Sequence, residues 1–281
     1  MVDIPHLLIL GMGYTASRLA ARLRADGWRI TGVRRAADAE ALAFDDESAV
    51  RAAMAQATHI LSSVPPEGDA DPVLTRYGAD IAAAPALWTA YLSSTGVYGD
   101  AQGAWVDEAS PTGSGRRTAR MQADADWATL RPDMRRFRLP GIYGPGRSAI
   151  ERVREGRAHR VALRDQVFSR VHVDDIIAGV IAAFDGPPGI YNLSDDLPCA
   201  QNRLIEAACE LLAVPYPPLM TLEDAQLSPM ARGFYAENRR VANGRAKRLL
   251  GWRPLYPTFR EGLAACLAQA DNRLDASLTP R

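Results

Sequence analysis

The sequence predicts an α/β protein: a doubly wound parallel sheet with a smaller second domain built mainly from the C-terminal third. Three observations carry that expectation. Strand and helix patterns alternate through the first half, and a glycine-rich turn joins the first strand to the first helix. The second half loses the alternation and is punctuated by Pro187, Pro188, Pro198, Pro215, Pro217 and Pro218.

The elements follow from local pattern. Residues 7–10 are a continuous apolar run, read as the first strand. Residues 16–23 place Leu19, Ala20 and Leu23 on one helical face. Strands are predicted at 28–33, 42–44, 59–64 (ended by Pro65 and Pro66), 87–93 and 136–139, with helices at 48–57 and within 72–83. Further on, 150–156 and 174–184 read as helices, 189–193 as a strand, and 204–212 and 259–269 as amphipathic helices. Residues 1–140 with about 167–196 are assigned to the sheet domain, and 141–166 with 197–281 to the smaller domain.

The composition narrows the function. The 281 residues suit one large domain or two sharing a core. Lys plus Arg equals Asp plus Glu at 33 each, a balance that argues against a general nucleic-acid binder. Cys199, Cys209 and Cys266 are scattered, with no metal-ligand spacing, and read as reduced thiols. No apolar run approaches the roughly 20 residues that span a bilayer. The start reads as a strand, so no membrane contact is expected and the cytoplasm is the expected location.

The turn Gly11-Met12-Gly13-Tyr14-Thr15-Ala16 is a G-x-G-x-x-A fingerprint between a strand and a helix, the context in which it signals dinucleotide binding. Gly11 makes the tight turn, Gly13 lets the backbone approach a pyrophosphate, and Ala16 allows close helix packing. The helix N-terminus offers free N–H groups to the phosphates. An acid ending the second strand would bind the ribose of NAD; this chain has Arg34 and Arg35 there. Two guanidiniums suit the 2′-phosphate of NADP, so NADP is expected over NAD. A solvated basic loop is the plain alternative. Asp45, just after the third strand, is expected at the adenine.

Four further segments carry a family resemblance. They are Ser93-Ser94-Thr95-Gly96-Val97-Tyr98-Gly99-Asp100; Arg138 through Tyr143-Gly144-Pro145-Gly146; Val171-His172-Val173-Asp174-Asp175; and Leu250-Gly251-Trp252-Arg253-Pro254, followed by Phe259 and Gly262. In this order and spacing the chain resembles the extended short-chain dehydrogenase/reductase family, the epimerase/dehydratase group with a Rossmann fold, over roughly residues 7–267. The resemblance implies cofactor contacts from Tyr14, Thr15, Ser62, Ser63, Pro140 and Ile142. It implies a small polar substrate held by the smaller C-terminal domain, of which a nucleotide-linked sugar is one candidate, and a homodimer. His172 takes a structural place in that turn, with Asp174 and Asp175 capping the next helix.

The sequence departs from the family at the active site. Ser94 carries over as the serine that holds the substrate oxygen. The family's Y-x-x-x-K-x-x-x-E helix, expected over 114–127, reads Arg116-x-x-x-Arg120-x-x-x-Asp124. No tyrosine lies between Tyr98 and Tyr143, and the only lysine is Lys247. Arginine does not exchange protons near neutral pH. Arg120 either replaces the lysine as a ribose contact or is solvated, and Arg116 either binds an anionic substrate group or is solvated. Tyr98 and Tyr143, on loops at strand ends, either supply a proton or pack structurally. Two functions stay open: an NADP-dependent oxidoreductase, epimerase or dehydratase with a non-standard site (Ser94, Arg116, Arg120 and Tyr143 being the catalytic candidates), or an NADP-binding sensor without turnover.

Overall fold

The computed structural model describes residues 4–113, 118–226, 232–233 and 235–278, with side chains through 270. In chain order the strands are β1 (His6–Leu10), β2 (Arg29–Arg34), β3 (Ala41–Ala43), β4 (His59–Ser62), β5 (Trp88–Ser94), β6 (Trp105–Val106), β7 (Met134–Leu139), β8 (Gly141–Tyr143), β9 (Arg160–Val161), β10 (Arg170–His172), β11 (Gly189–Asn192), β12 (Leu219–Met220) and β13 (Arg240–Val241). The helices are α1 (Tyr14–Ala25), α2 (Glu47–Gln56), α3 (Pro72–Ala83), α4 (Thr118–Leu130), α5 (Ala149–Arg154), α6 (Val173–Ala182), α7 (Gln201–Leu212), α8 (Gly244–Leu249) and α9 (Phe259–Leu278).

Seven strands form one parallel sheet in the order β11-β7-β5-β4-β1-β2-β3. The direction of winding reverses between β1 and β4, so ligands are expected in the crevice beyond the carboxyl ends of those strands. Alternation along β1 splits the interior. Leu7 and Ile9 face α1 and α6, in a core with Leu19, Phe137 and Val180. Leu8 and Leu10 face the other layer, with Tyr77, Tyr91 and Trp127. A third core lies off the sheet, where Tyr143, Ile150, Leu204, Ile205, Phe259 and Leu263 pack α5, α7 and α9 together.

All seven sheet strands coincide with predicted segments. The paired strands β6/β13, β8/β10 and β9/β12 have no sequence signal, because two or three residues show no periodicity and their partners are distant. The helix expected over 114–127 runs over Thr118–Leu130. One expected cap differs: the imidazole of His172, not a carboxylate, caps α6, its Nδ1 accepting from the Asp174 N–H at 3.2 Å. Asp175 instead accepts from the backbone N–H groups of Leu255 and Tyr256, tying α6 to the C-terminal segment.

Asp71 shows how one side chain joins three elements. One carboxylate oxygen caps α3, accepting from Val73 at 2.8 Å and Leu74 at 3.1 Å. The other accepts from Trp127 Nε1 of α4 at 2.8 Å. Trp127 in turn stacks on Tyr91 of β5 at 5.1 Å. Asp71→Ala removes the cap and leaves a buried indole N–H unpaired. The expected cost is about 3 kcal/mol, a melting point about 6 °C lower, measured by calorimetry.

Asp195 lies just beyond β11 and is 2% exposed, and no side chain hydrogen-bonds its carboxyl oxygens. Burial pushes its pKa up to about 8, against the Arg170 charge and the Leu197 N–H, while Asp196 and Asp175 add to the rise. The fold therefore favours the protonated acid. Between the unfolded pKa near 4 and the folded pKa near 8 stability falls as pH rises, and above that window the full cost remains. Asp195→Asn is expected to melt near the parent temperature at pH 5 and several degrees above it at pH 9. Equal shifts at both pH values would remove this account.

Candidate functional site

The glycine turn sits at the carboxyl end of β1. Gly11 has φ +95°, which favours glycine, and its N–H donates to Val33 O at 3.0 Å. A Cβ there would also meet Val64 at 2.8 Å. Gly13 is the N-cap of α1, and a Cβ there would meet no protein atom within 4 Å. Helix α1 has no side-chain cap and no acid in its first turn. An open glycine face below an uncapped helix N-terminus fits a pyrophosphate.

The predicted cofactor residues fall around this turn. Ala16 is buried in the first core. Thr15 is half-buried in the first turn of α1. Tyr14 donates to Pro145 O at 3.1 Å, tying the glycine turn to the loop after β8. Its ring lies beneath Arg18, at 5.0 Å, and Arg147, at 5.7 Å. Arg34 ends β2 and is ion-paired to Asp38, while Arg35 is exposed beside it. Asp45 is exposed just past β3. Ser63 donates to Gly11 O, bracing the turn, whereas the Ser62 hydroxyl is fully buried and unpartnered.

At the end of β5, Ser94 Oγ accepts from the Gly96 N–H at 3.1 Å, capping a short 3₁₀ turn over Thr95–Tyr98. Beneath it lies a buried polar cluster. Asp124, 3% exposed, accepts from Ser93 at 2.6 Å, Arg136 at 2.7 Å and Arg138 at 2.7 Å. Tyr98 is locked into the same cluster. Its hydroxyl donates to Asn192 at 2.8 Å and accepts from Arg138 at 3.0 Å, so it packs structurally. Arg120 lies where its charge acts on the buried Tyr91 hydroxyl, partly opposing the rise in pKa that burial causes there. Arg116 lies outside the described residues.

A cavity of about 440 Å³ lies between the ends of β5 and β7 and the third core. It brings together Ser94, Pro140, Ile142 and Tyr143 from the predicted set, but not Arg120. Tyr143 aims its hydroxyl at α9, where it has no hydrogen-bond partner. A Cβ on Gly262 would sit 2.0 Å from that oxygen, which is why only glycine fits there. The ring meets His172 edge-on at 5.2 Å, and burial raises the hydroxyl pKa well above its usual range. The hydroxyl is thus held in the third core.

Sequence reasoning missed the residues on the far wall: Arg147, Arg152, Arg157, His159 and Tyr235. A signal existed, since Arg147, Arg152, Arg154 and Arg157 crowd one short segment. Thr95 also lines the cavity beside Ser94. Among the described residues no helix is long and apolar enough to cross a membrane, and no acid, cysteine and histidine cluster could hold a metal.

No family model matches the chain. It is similar to a functionally unknown conserved protein from Silicibacter pomeroyi DSS, with 41% identity and a TM-score of 0.88 over 94% of this chain and 99% of that one. The structure of human epimerase family protein SDR39U1 (isoform 2) with NADPH shares the fold, with 16% identity and a TM-score of 0.75 over 93% and 99% of the two chains. A Streptomyces 3-diazoavenalumate denitrifying reductase is 29% identical over 139 residues, so the match spans 45% of each chain, under half that relative's length. The chain belongs to the family of the Silicibacter pomeroyi protein, and its fold is the Rossmann fold of the extended short-chain dehydrogenase/reductases.

Proposed function

We propose that this protein is an NADP(H)-dependent oxidoreductase that acts on a small substrate without the family's Tyr–Lys dyad. The observation that carries the proposal is the pairing of two features on one sheet edge. The open Gly13 face below an uncapped helix N-terminus fits a pyrophosphate, and a cavity with Ser94 in its wall lies beyond the same carboxyl edge. The Streptomyces relative is named as a reductase, which supports the redox reading over epimerisation or dehydration.

When bound, NADP supplies the hydride donor or acceptor. The chain's own residues do the rest. The first N–H groups of α1 hold the pyrophosphate, and Arg34 and Arg35 hold the 2′-phosphate. Pro140 and Ile142 border the nicotinamide end. The Ser94 hydroxyl donates to the substrate oxygen and orients it. Arg120 stands where the family has lysine and supplies fixed charge, without trading a proton. A second reading, a sensor that binds NADP without turnover, is favoured by the missing dyad. NADPH oxidation that is lost in Ser94→Ala supports the enzyme; tight binding with no turnover across a carbonyl and imine panel supports the sensor.

Two outcomes test the site. By calorimetry, NADPH is expected to bind about tenfold or more tightly than NADH, and the double change Arg34→Ala with Arg35→Ala should erase the difference. Equal affinities in the parent protein would remove NADP from the proposal. The double variant Arg116→Tyr with Arg120→Lys is expected to bring no gain in turnover, because two arginines in place of the dyad suit fixed positive charge. General acid–base assistance is worth about 10²–10⁴-fold, so a rise of that size would show that only the dyad was lacking.

A further inference from the structure

We infer that the cavity takes an organic acid with an apolar, ring-shaped body, and that Arg152 holds its acid group. This deepens the oxidoreductase reading and rests on it only for which end of the cavity faces the nicotinamide.

The charges on the far wall are unbalanced. Arg147, Arg152, Arg157 and His159 line it from α5 and the segments on either side of it. The only carboxylate among the described lining residues is Glu237, which Arg239 already engages at 2.9 Å. The other cations have occupations. Arg170 donates to Phe168 O, Cys199 O and Gln201 Oε1, each within 3.1 Å. Arg157 pairs with Glu155. Arg147 lies over the Tyr14 ring. Arg152 is an exposed residue of the lining and has no carboxylate partner among the described residues. It is therefore the guanidinium left to receive an anionic group, in the charge-assisted geometry arginine favours for carboxylates.

The body of the ligand follows from the rest of the wall. Val167, Phe168, Leu204, Ile205 and Tyr235 form a largely apolar lining. Phe168 and Tyr235 meet edge-to-face, with centroids 5.7 Å apart and an interplanar angle of 80°. Such a corner accepts a flat ring. The hydroxyls of a sugar placed against it would lose water without gaining partners. Ser94 at one end and Arg152 at the other therefore suit a molecule that is apolar in the middle, reactive at one end and acidic at the other.

The test uses the full chain, with and without saturating NADPH, titrated by calorimetry with 3-phenylpropanoate, its uncharged amide, acetate and UDP-glucose. Phenylpropanoate is expected to bind about tenfold or more tightly than its amide or acetate, and more tightly than UDP-glucose. Arg152→Ala is expected to erase the preference for acid over amide, Arg152→Lys to keep part of it, and NADPH affinity to stay unchanged in both. Tighter binding of UDP-glucose, no binding of phenylpropanoate, or an unchanged affinity in Arg152→Ala would overturn the proposal. Phenylpropanoate binding without any NADPH binding would sink the cofactor reading and leave this one standing. An exposed position and a parent-like melting point keep Arg152→Ala interpretable.

Discussion

The buried carboxylate of Asp124 holds the carboxyl ends of β5 and β7 and helix α4 in register. It sits on α4 and draws Ser93 of β5 and Arg136 and Arg138 of β7 onto one acid. Arg138 passes the constraint on to Tyr98, and Tyr98 to Asn192 at the edge strand β11. Losing the acid would strand two largely buried guanidiniums, a defect of about 3–5 kcal/mol. The same clamp sets where Ser94 emerges from β5 and where Arg120 enters from α4. Asp124 stands at the acid position of the Y-x-x-x-K-x-x-x-E pattern that the sequence resembles; the residue that ties the helix to the sheet is an acid, while the tyrosine and lysine positions are arginines.

That separation gives the site its character. The glycine turn, its brace from Ser63 and the open face at Gly13 retain the means to hold a dinucleotide. Of the two tyrosines near the strand ends, one has its hydroxyl engaged and the other has it buried. Tyr98 is saturated within the Asp124 cluster, and Tyr143 is turned toward Gly262. What the cavity wall presents instead is positive charge, at Arg147, Arg152 and Arg157, while Arg120 lies outside that lining.

Much of the fold was legible because its signals are local. The seven sheet strands, the G-x-G-x-x-A turn and the Pro-Pro stop after the fourth strand each declare themselves within a few residues. Of the candidate site, the glycine turn was legible, because its open face and uncapped helix N-terminus are set within a few residues. Tyr143 illustrates the limit. Its place in Tyr-Gly-Pro-Gly marks it as close to the cofactor, yet its hydroxyl is directed by a glycine more than a hundred residues away. His172, which caps α6 and packs on the rings of Tyr143 and Tyr256, is a second case.

The sequence by itself determined the parallel sheet, the phosphate turn and the absence of the Tyr–Lys pair, since each depends on residue type at short range. Only the tertiary structure decided which polar groups are spent and which remain available. Arg138, Arg170 and Arg152 are indistinguishable as letters. Asp124 takes the first and backbone carbonyls hold the second, while the third lines the cavity with no carboxylate partner among the described residues. A guanidinium's chemistry is set by what lies within about 3 Å of it, and here those neighbours come from distant parts of the chain.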